Sequence, residues 1–123
     1  MDVLDSSAIL AFLWDEPGTD TVKAALSAGA VCVVANWSEV AAKVLARGGD
    51  WPSAEAALLG FGLRIVGIEP VDAVQAARRW EAHPSLSWGD RLCLAERLGA
   101  TVLTADRAWC AASDAVRLIR SGA

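Results

Sequence analysis

The sequence predicts an α/β fold, a three-layer α/β/α sandwich in which helices cover both faces of a mostly parallel sheet. Short runs rich in Val, Ile and Leu alternate along the chain with longer segments whose apolar residues have helical spacing. Continuous apolar strands that are each followed by a helix are typical of parallel sheets buried on both faces. The 123 residues contain no repeat, linker or low-complexity segment, which predicts one domain over residues 1–123.

Five apolar runs are predicted strands, and the segments between them are predicted helices. The strands are Met1–Leu4, Val31–Ala35, Leu63–Ile68, Thr101–Leu103 and Val116–Ile119. Helical spacing covers Ser6–Trp14, Thr19–Ala28, Asn36–Arg47, Pro52–Leu59, Val71–Glu81 and the segment from Ser87 to Gly99. Glycine or proline after the first three helices ends each of them, and Pro52 suits the first turn of the fourth.

Composition excludes a membrane protein and a disulfide or zinc scaffold. Hydrophobic residues make up 54% of the chain, but every apolar run is shorter than the ~20 residues that cross a membrane. The amino terminus lacks the positive flank of a signal peptide. We therefore expect a soluble cytoplasmic protein whose surplus apolar surface lies in a subunit interface. Three cysteines without C-x-x-C spacing predict neither disulfide nor zinc.

The charge distribution leaves nucleic-acid binding open. The net charge of −4 alone argues against a partner rich in phosphate. However, residues 63–123 carry eight bases, all of them arginine, and arginine suits bidentate contact with phosphate. Solvated helix faces and salt bridges explain these arginines equally well.

Four carboxylates stand out by their position, namely Asp5, Glu39, Asp90 and Asp106. Asp5 and Asp106 follow predicted strands, while Glu39 and Asp90 lie in the opening turns of predicted helices. In a parallel sheet, the strands end and these helices begin at one edge, and ligands bind there. Clustered carboxylates disfavour one another's ionisation unless a cation is present. Hard oxygen ligands suit Mg²⁺ or Mn²⁺. The pattern therefore predicts a divalent-metal site.

Each of these acids also has a structural explanation as a helix cap. Asp5 could cap the helix that begins at Ser6, while Asn36-x-x-Glu39 and Ser87-x-x-Asp90 have the form of capping boxes. Asp106, in the first turn of a short helix, would suit the helix dipole. Ser, Thr and Asn cap as well as Asp does, so acids at all four places favour the metal site.

Hydroxyl groups accompany the acids. Ser6 and Ser7 follow Asp5, and Thr104 comes two residues before Asp106. Such hydroxyls can orient a carboxylate or a water molecule, and nearby helix N termini offer N–H groups to a phosphate. Together they predict hydrolysis of a phosphoester, in which the ion polarises the phosphate and activates water.

These residues lie in segments that resemble the PIN-domain family and, in part, its toxin branch of VapC type. The segments are Val3-Leu4-Asp5-Ser6-Ser7-Ala8, Glu39 in its helix, Leu86-Ser87-x-Gly89-Asp90-Arg91-x-Cys93-Leu94-Ala95 and Leu103-Thr104-Ala105-Asp106-Arg107-Ala108-Trp109. The resemblance extends from residue 3 to about residue 120. It implies the sheet order 3-2-1-4-5 and an endoribonuclease toxin of a toxin–antitoxin pair that uses Mg²⁺ or Mn²⁺.

The resemblance also implies roles for particular residues and partners. The family's ligands carry over onto Asp5, Glu39, Asp90 and Asp106, with Asp5 and Asp90 as the main ones. Ser6 and Thr104 match the family's small hydroxyl positions. A homodimer is implied, inhibited by a small antitoxin whose tail reaches the acidic groove.

We expect activated water to cleave RNA in line, leaving a 5′-phosphate and a 3′-hydroxyl. Attack by the 2′-hydroxyl would call for a general base such as histidine, and the only one, His83, precedes Pro84 in a predicted turn. Arg91 and Arg107 are either phosphate contacts or partners of the neighbouring acids. The six tryptophans suit a protein interface more than base stacking.

Three other functions suit an α/β chain of this length with acids at one sheet edge. The alternative is a non-catalytic PIN-like interaction module, whose mark would be the loss of an acid, and all four are present. A response-regulator receiver needs a lysine after the last strand, but no lysine follows Lys43. A phosphatase of the haloacid dehalogenase type needs a second aspartate where Ser7 stands.

Overall fold

A computed structural model describes residues 1–82, 95–111 and 113–120 and contains a five-stranded parallel sheet. The strands are β1 (Asp2–Leu4), β2 (Ala30–Val33), β3 (Arg64–Val66), β4 (Thr101–Thr104) and β5 (Val116–Leu118). Their order is β3-β2-β1-β4-β5, which places β1 at the centre. The predicted fold class and strand order are confirmed.

Helices connect the strands along the chain. They are α1 (Ser6–Leu13), α2 (Thr19–Ala28), α3 (Val34–Ala46), α4 (Trp51–Gly60), α5 (Pro70–Ala82) and a 3₁₀ helix (Arg107–Ala111). Residues 95–98 are helical and end at Gly99, where φ is +65°. The rest of the helix predicted from Ser87 lies outside the described residues. Among the helices that are described, none has the length and apolar character needed to span a membrane.

Both faces of the sheet carry an apolar core. On one face Leu4, Cys32 and Leu103 pack with side chains of the helices, including Ile9 and Leu26. On the other face the neighbouring strand residues Val3, Val31 and Val102 pack with Trp109 and Ala95. Successive strand side chains point to opposite faces, so strands that are apolar throughout need cover on both. This is why the sequence alternates between strands and helices.

The start of α3 differs from the prediction. The helix begins at Val34, with Val33 at its N-cap and no side-chain capping bond, rather than at Asn36. The pairing of β2 with β3 stops at Val33 and Val66, so the apolar run leaves the sheet two residues earlier than expected. A short apolar run does not by itself distinguish a buried strand from a buried helical turn. Asn36 is therefore inside the first turn and is not its cap.

The turn between α1 and α2 packs against the chain that leaves β5. Gly18 has φ +96°, and a Cβ atom built there would lie 2.8 Å from both Cγ1 and the carbonyl oxygen of Ile119. Nearby, Arg120 donates a hydrogen bond to the carbonyl of Pro17 at 3.0 Å. These contacts hold the end of β5 against the α1–α2 turn, which lies near the amino terminus.

A buried carboxylate joins α5 to the helical residues 95–98. Asp72, only 3% exposed, accepts hydrogen bonds from Nε of Arg97 at 3.1 Å and from its Nη2 at 2.8 Å. It also accepts one from the backbone N–H of Glu69 at 2.9 Å, the reciprocal bond of a capping box. A second ion pair, between Arg79 and Glu96, joins the same two segments.

We expect Asp72→Asn to lower stability near pH 7 and to have less effect in acid. Hydrogen bonds from Arg97 hold the pKa of Asp72 below its ordinary value, despite the opposing effect of burial. Because an unfolded aspartate titrates near pH ~3.9, the stabilisation is complete above that pH and is lost as the pH falls through the lower folded pKa. Urea unfolding of both proteins near pH 7 and near pH 3 measures it. A free-energy difference that stays the same at both pH values would contradict this assignment.

Candidate functional site

Asp5 directly follows the central strand and is the N-cap of α1. Its Oδ1 accepts hydrogen bonds from the N–H of Ala8 at 2.9 Å and from the hydroxyl of Ser7 at 2.7 Å. The hydroxyl of Thr104 donates a short hydrogen bond to Oδ2. The side chain is 2% exposed. Asp5 therefore caps α1 and is held in place through both of its carboxylate oxygens.

Ser7 and Thr104 connect the end of β1 to the end of β4. Their hydroxyl oxygens lie 3.2 Å apart. Ser7 Oγ also accepts a hydrogen bond from the N–H of Ala105 at 2.9 Å, and Thr104 Oγ1 accepts one from the N–H of Asp106 at 3.0 Å. The two hydroxyls therefore hold the Asp5 carboxylate and the backbone of Asp106 in one network.

The sequence places both Ser6 and Ser7 beside the acids, and the family resemblance predicts Ser6 as the hydroxyl of the site. In the structure Ser6 is buried at the start of α1, and it is Ser7 that bonds to Asp5. Both serines follow the strand directly, so their order in the chain does not tell which one turns back. No local signal distinguishes the two serines, because Ser7 is set apart by its contacts with Thr104 and Ala105, which lie 97 and 98 positions away in the chain.

We expect Ser7→Ala to destabilise the protein more than Ser6→Ala. Removing the Ser7 hydroxyl takes a donor from Asp5 and the acceptor from the N–H of Ala105, a loss of about 1–3 kcal/mol. Thermal or urea unfolding of the two variants side by side measures the difference. Equal losses of stability would show that the network around Ser7 contributes nothing.

Asp106 lies at the same sheet edge as Asp5. Strands β1 and β4 run parallel with Leu4 opposite Leu103, so the residues that follow them leave the sheet together. Asp106 is exposed, and its Oδ1 accepts a hydrogen bond from the N–H of Ala108 at 3.0 Å. It precedes the 3₁₀ helix rather than lying inside it. Arg107, the next residue, is also exposed.

Glu39 approaches the same edge from α3. This helix follows β2, which pairs in parallel with β1. Glu39 is half-buried and is the sixth residue of α3, deeper in the helix than the predicted opening turn. Nδ2 of Asn36 donates a hydrogen bond to its Oε1 at 3.1 Å. Beside it lies a cleft of about 350 Å³ lined by Ala35, Ser38, Glu39 and Ala42.

The oxygen donors at this edge suit a hard divalent cation, because carboxylates with hydroxyl support are the ligands that Mg²⁺ and Mn²⁺ prefer. Within residues 1–82, 95–111 and 113–120, however, no three acidic, histidine or cysteine side chains are grouped to hold a metal ion. Asp90 and Arg91 lie outside those ranges, as does His83.

The described tryptophans pack mainly into the protein. Trp109 is 3% exposed and belongs to one core. Trp14, Trp37 and Trp51 pack against the other core, and the rings of Trp37 and Trp51 meet edge to face with their centroids 4.9 Å apart. The guanidinium of Arg47 lies 3.5 Å from the centroid of the Trp14 ring. Trp80 is an exception, because it is 55% exposed.

Comparison with known proteins agrees with this geometry. A family model of the PIN domain matches residues 3–115. The structure is similar to a toxin–antitoxin complex from Klebsiella pneumoniae, with a TM-score of 0.74, 16% identity and 98% of both chains covered. It is also similar to a crystal structure of a protein from Pyrobaculum aerophilum, with a TM-score of 0.65, 21% identity and coverage of 96% of this chain and 88% of that one. The curated proteins contain no match.

Proposed function

The chain belongs to the PIN-domain family, and we propose that it is a Mg²⁺- or Mn²⁺-dependent endoribonuclease, the VapC-type toxin of a type II toxin–antitoxin pair. PIN domains are generally nucleases that use divalent metal ions. The observation that carries the proposal is the hydrogen-bonded linkage from Asp5 through Thr104 to Asp106. It joins the carboxylate of Asp5 to the backbone N–H of Asp106 at the carboxyl ends of β1 and β4, where parallel sheets bind ligands.

The proposed reaction is hydrolysis of a backbone phosphodiester of RNA. A bound divalent ion would polarise the phosphate and lower the pKa of water. We assign its binding to Asp5 and Asp90 as the main ligands, with Glu39 and Asp106 completing the set. Thr104 and Ser7 each donate a hydrogen bond to a different oxygen of Asp5 and so hold its carboxylate plane.

The proposed partners follow from the same assignment. Arg107 and Arg91 would contact the phosphates of the RNA beside the acids. The similarity to a toxin–antitoxin complex supports a small antitoxin that covers the acidic groove. We further propose that residues 1–123 form one domain and that two copies of the chain form a homodimer. The protein would act in the cytoplasm.

Incubation of the antitoxin-free protein with total RNA and Mg²⁺ tests the reaction. We expect cuts that leave 5′-phosphate and 3′-hydroxyl ends, that stop when EDTA is added and that resume with excess Mg²⁺. Asp90→Asn should slow cleavage by at least ~100-fold, since loss even of an outer-sphere partner costs about 10–100-fold. Asp114→Asn, which changes an exposed acid elsewhere, should cleave like the parent protein. Cleavage that persists in EDTA would contradict the proposal.

A non-catalytic interaction module with the same fold predicts a different response to metal. If the acids hold a cation, millimolar Mn²⁺ relieves their mutual repulsion and raises the melting temperature. If the site has lost its function, Mn²⁺ leaves the melting temperature unchanged. Thermal unfolding with and without Mn²⁺ therefore separates the two functions without knowledge of the RNA target.

A further inference from the structure

The cleft beside Glu39 is kept open by small side chains of α3. Ala35, Ser38 and Ala42 line it together with Glu39, and its volume is about 350 Å³. The outer positions of a helix ordinarily carry charged or long polar side chains, which would fill such a space. Here each of the three has only a methyl or a hydroxymethyl group. The volume lies at the lower end of the range of pockets that bind small ligands.

Larger apolar side chains lie at the two ends of this part of α3. Val34 comes one helical turn before Ser38, and Leu45 comes one turn after Ala42, so that these four residues share one face of the helix. Val34 is 50% exposed and Leu45 is 59% exposed. Apolar groups that lie exposed together beside a cleft mark a surface that a ligand covers.

The chemistry of the lining distinguishes between the parts of an RNA substrate. The carboxylate of Glu39 would repel a phosphate group, because like charges repel. A nucleobase fits better, since its N–H groups can donate to that carboxylate and its edge can also bond to the hydroxyl of Ser38, which both donates and accepts. Nδ2 of Asn36 donates to Oε1 of Glu39 at 3.1 Å and so holds the carboxylate in one orientation. The faces of a base are apolar and suit the alanine methyl groups.

We propose that this cleft binds one unstacked nucleobase of the RNA next to the phosphate that is cut, and that Ser38 and Ala42 determine which base it accepts. The proposal rests on the proposed function, which assigns Glu39 to the metal centre, so that a base beside Glu39 lies close to the reacting phosphate. Single-stranded RNA is recognised in this manner, through hydrogen bonds to the edges of bases that have left the stack. The Ser38 hydroxyl contacts the base edge, while Ala42 leaves room for the ring.

Sequencing of the cut ends that the protein forms in total RNA tests the proposal. We expect the parent to prefer one base at a fixed position beside the cut. Ala42→Leu fills the cleft, so it should weaken this preference and raise KM about ten-fold for a short RNA that contains a mapped cut site, as expected for the loss of one base contact. Ser38→Ala should change the preferred base. Calorimetric titration should give parent-like Mn²⁺ affinity for both variants. Ala57→Leu, the same enlargement at an exposed position of α4, should match the parent in every measurement.

The outcomes separate this inference from the proposed function. Parent-like cut sites and KM in Ala42→Leu would overturn the base subsite even though the parent cleaves RNA. Weaker Mn²⁺ binding by Ala42→Leu would also overturn it, because the substitution would then act through the metal centre. Parent-like cleavage together with a changed mass in sedimentation would assign the cleft to a subunit interface instead. A parent protein that does not cleave RNA would overturn the proposed function, and with it the subsite.

Discussion

Asp5→Asn is expected to abolish RNA cleavage and most of the Mn²⁺-induced rise in melting temperature while the protein stays folded. Asn is as good an N-cap as Asp, and the bonds from Ser7 and Ala8 keep its oxygen at the Oδ1 position. Its nitrogen then faces Thr104, whose hydroxyl can turn from donor to acceptor. What the variant loses is the negative charge at the centre of the site. We expect cleavage to fall by more than ~100-fold, beyond the loss typical of an outer-sphere partner.

Asp50→Asn is the matched control for Asp5→Asn. Asp50 caps α4 in the same way, accepting a hydrogen bond from the N–H of Ser53 at 3.1 Å, but it lies in an exposed loop. We expect this variant to cleave RNA and respond to Mn²⁺ like the parent. Rate measurements and metal-dependent melting on both variants make the comparison. If Asp5→Asn cleaves RNA like the parent, then Asp5 takes no part in the reaction.

Gly18→Ala is expected to cause the largest loss of stability of any single change considered. An alanine at φ +96° adopts an unfavourable backbone conformation, and its Cβ would lie 2.8 Å from the backbone oxygen of Ile119. Conformational strain costs about 1–2 kcal/mol and overpacking about 1–3 kcal/mol, so we expect a combined loss of about 3 kcal/mol or more. Urea unfolding near neutral pH measures it.

Gly62→Ala separates the two causes of that loss. Gly62 has the same φ of +96°, but a Cβ atom there would meet nothing within 4 Å. Its substitution should therefore cost only the conformational strain, about 1–2 kcal/mol. If both variants lose the same stability, the contact between Gly18 and Ile119 does not hold the end of β5 against the α1–α2 turn.

Much of the architecture follows from local sequence. Apolar strand runs that alternate with amphipathic segments predict a parallel sheet with helices on both faces. The bounds of α2, residues 19–28, are also as predicted. Asp5 and Asp106 could be placed at one edge because each follows a strand, and parallel strands end on the same side. The order 3-2-1-4-5 came instead from the resemblance to the family, since periodicity does not tell which strands are neighbours.

The sequence by itself determined the fold class, and the strand-end acids Asp5 and Asp106, because both depend on local periodicity and chain direction. Only the tertiary structure decided that the hydroxyl of Thr104 donates to Asp5, that Ser7 rather than Ser6 joins Asp5 to the backbone of Ala105, and that β2 stops pairing with β3 at Val33 so that α3 begins at Val34. The physical reason is the large separation along the chain between the residues that make these contacts. A hydrogen bond such as that from Thr104 to Asp5 joins residues 99 positions apart, and only the packing of β4 beside β1 brings them within reach.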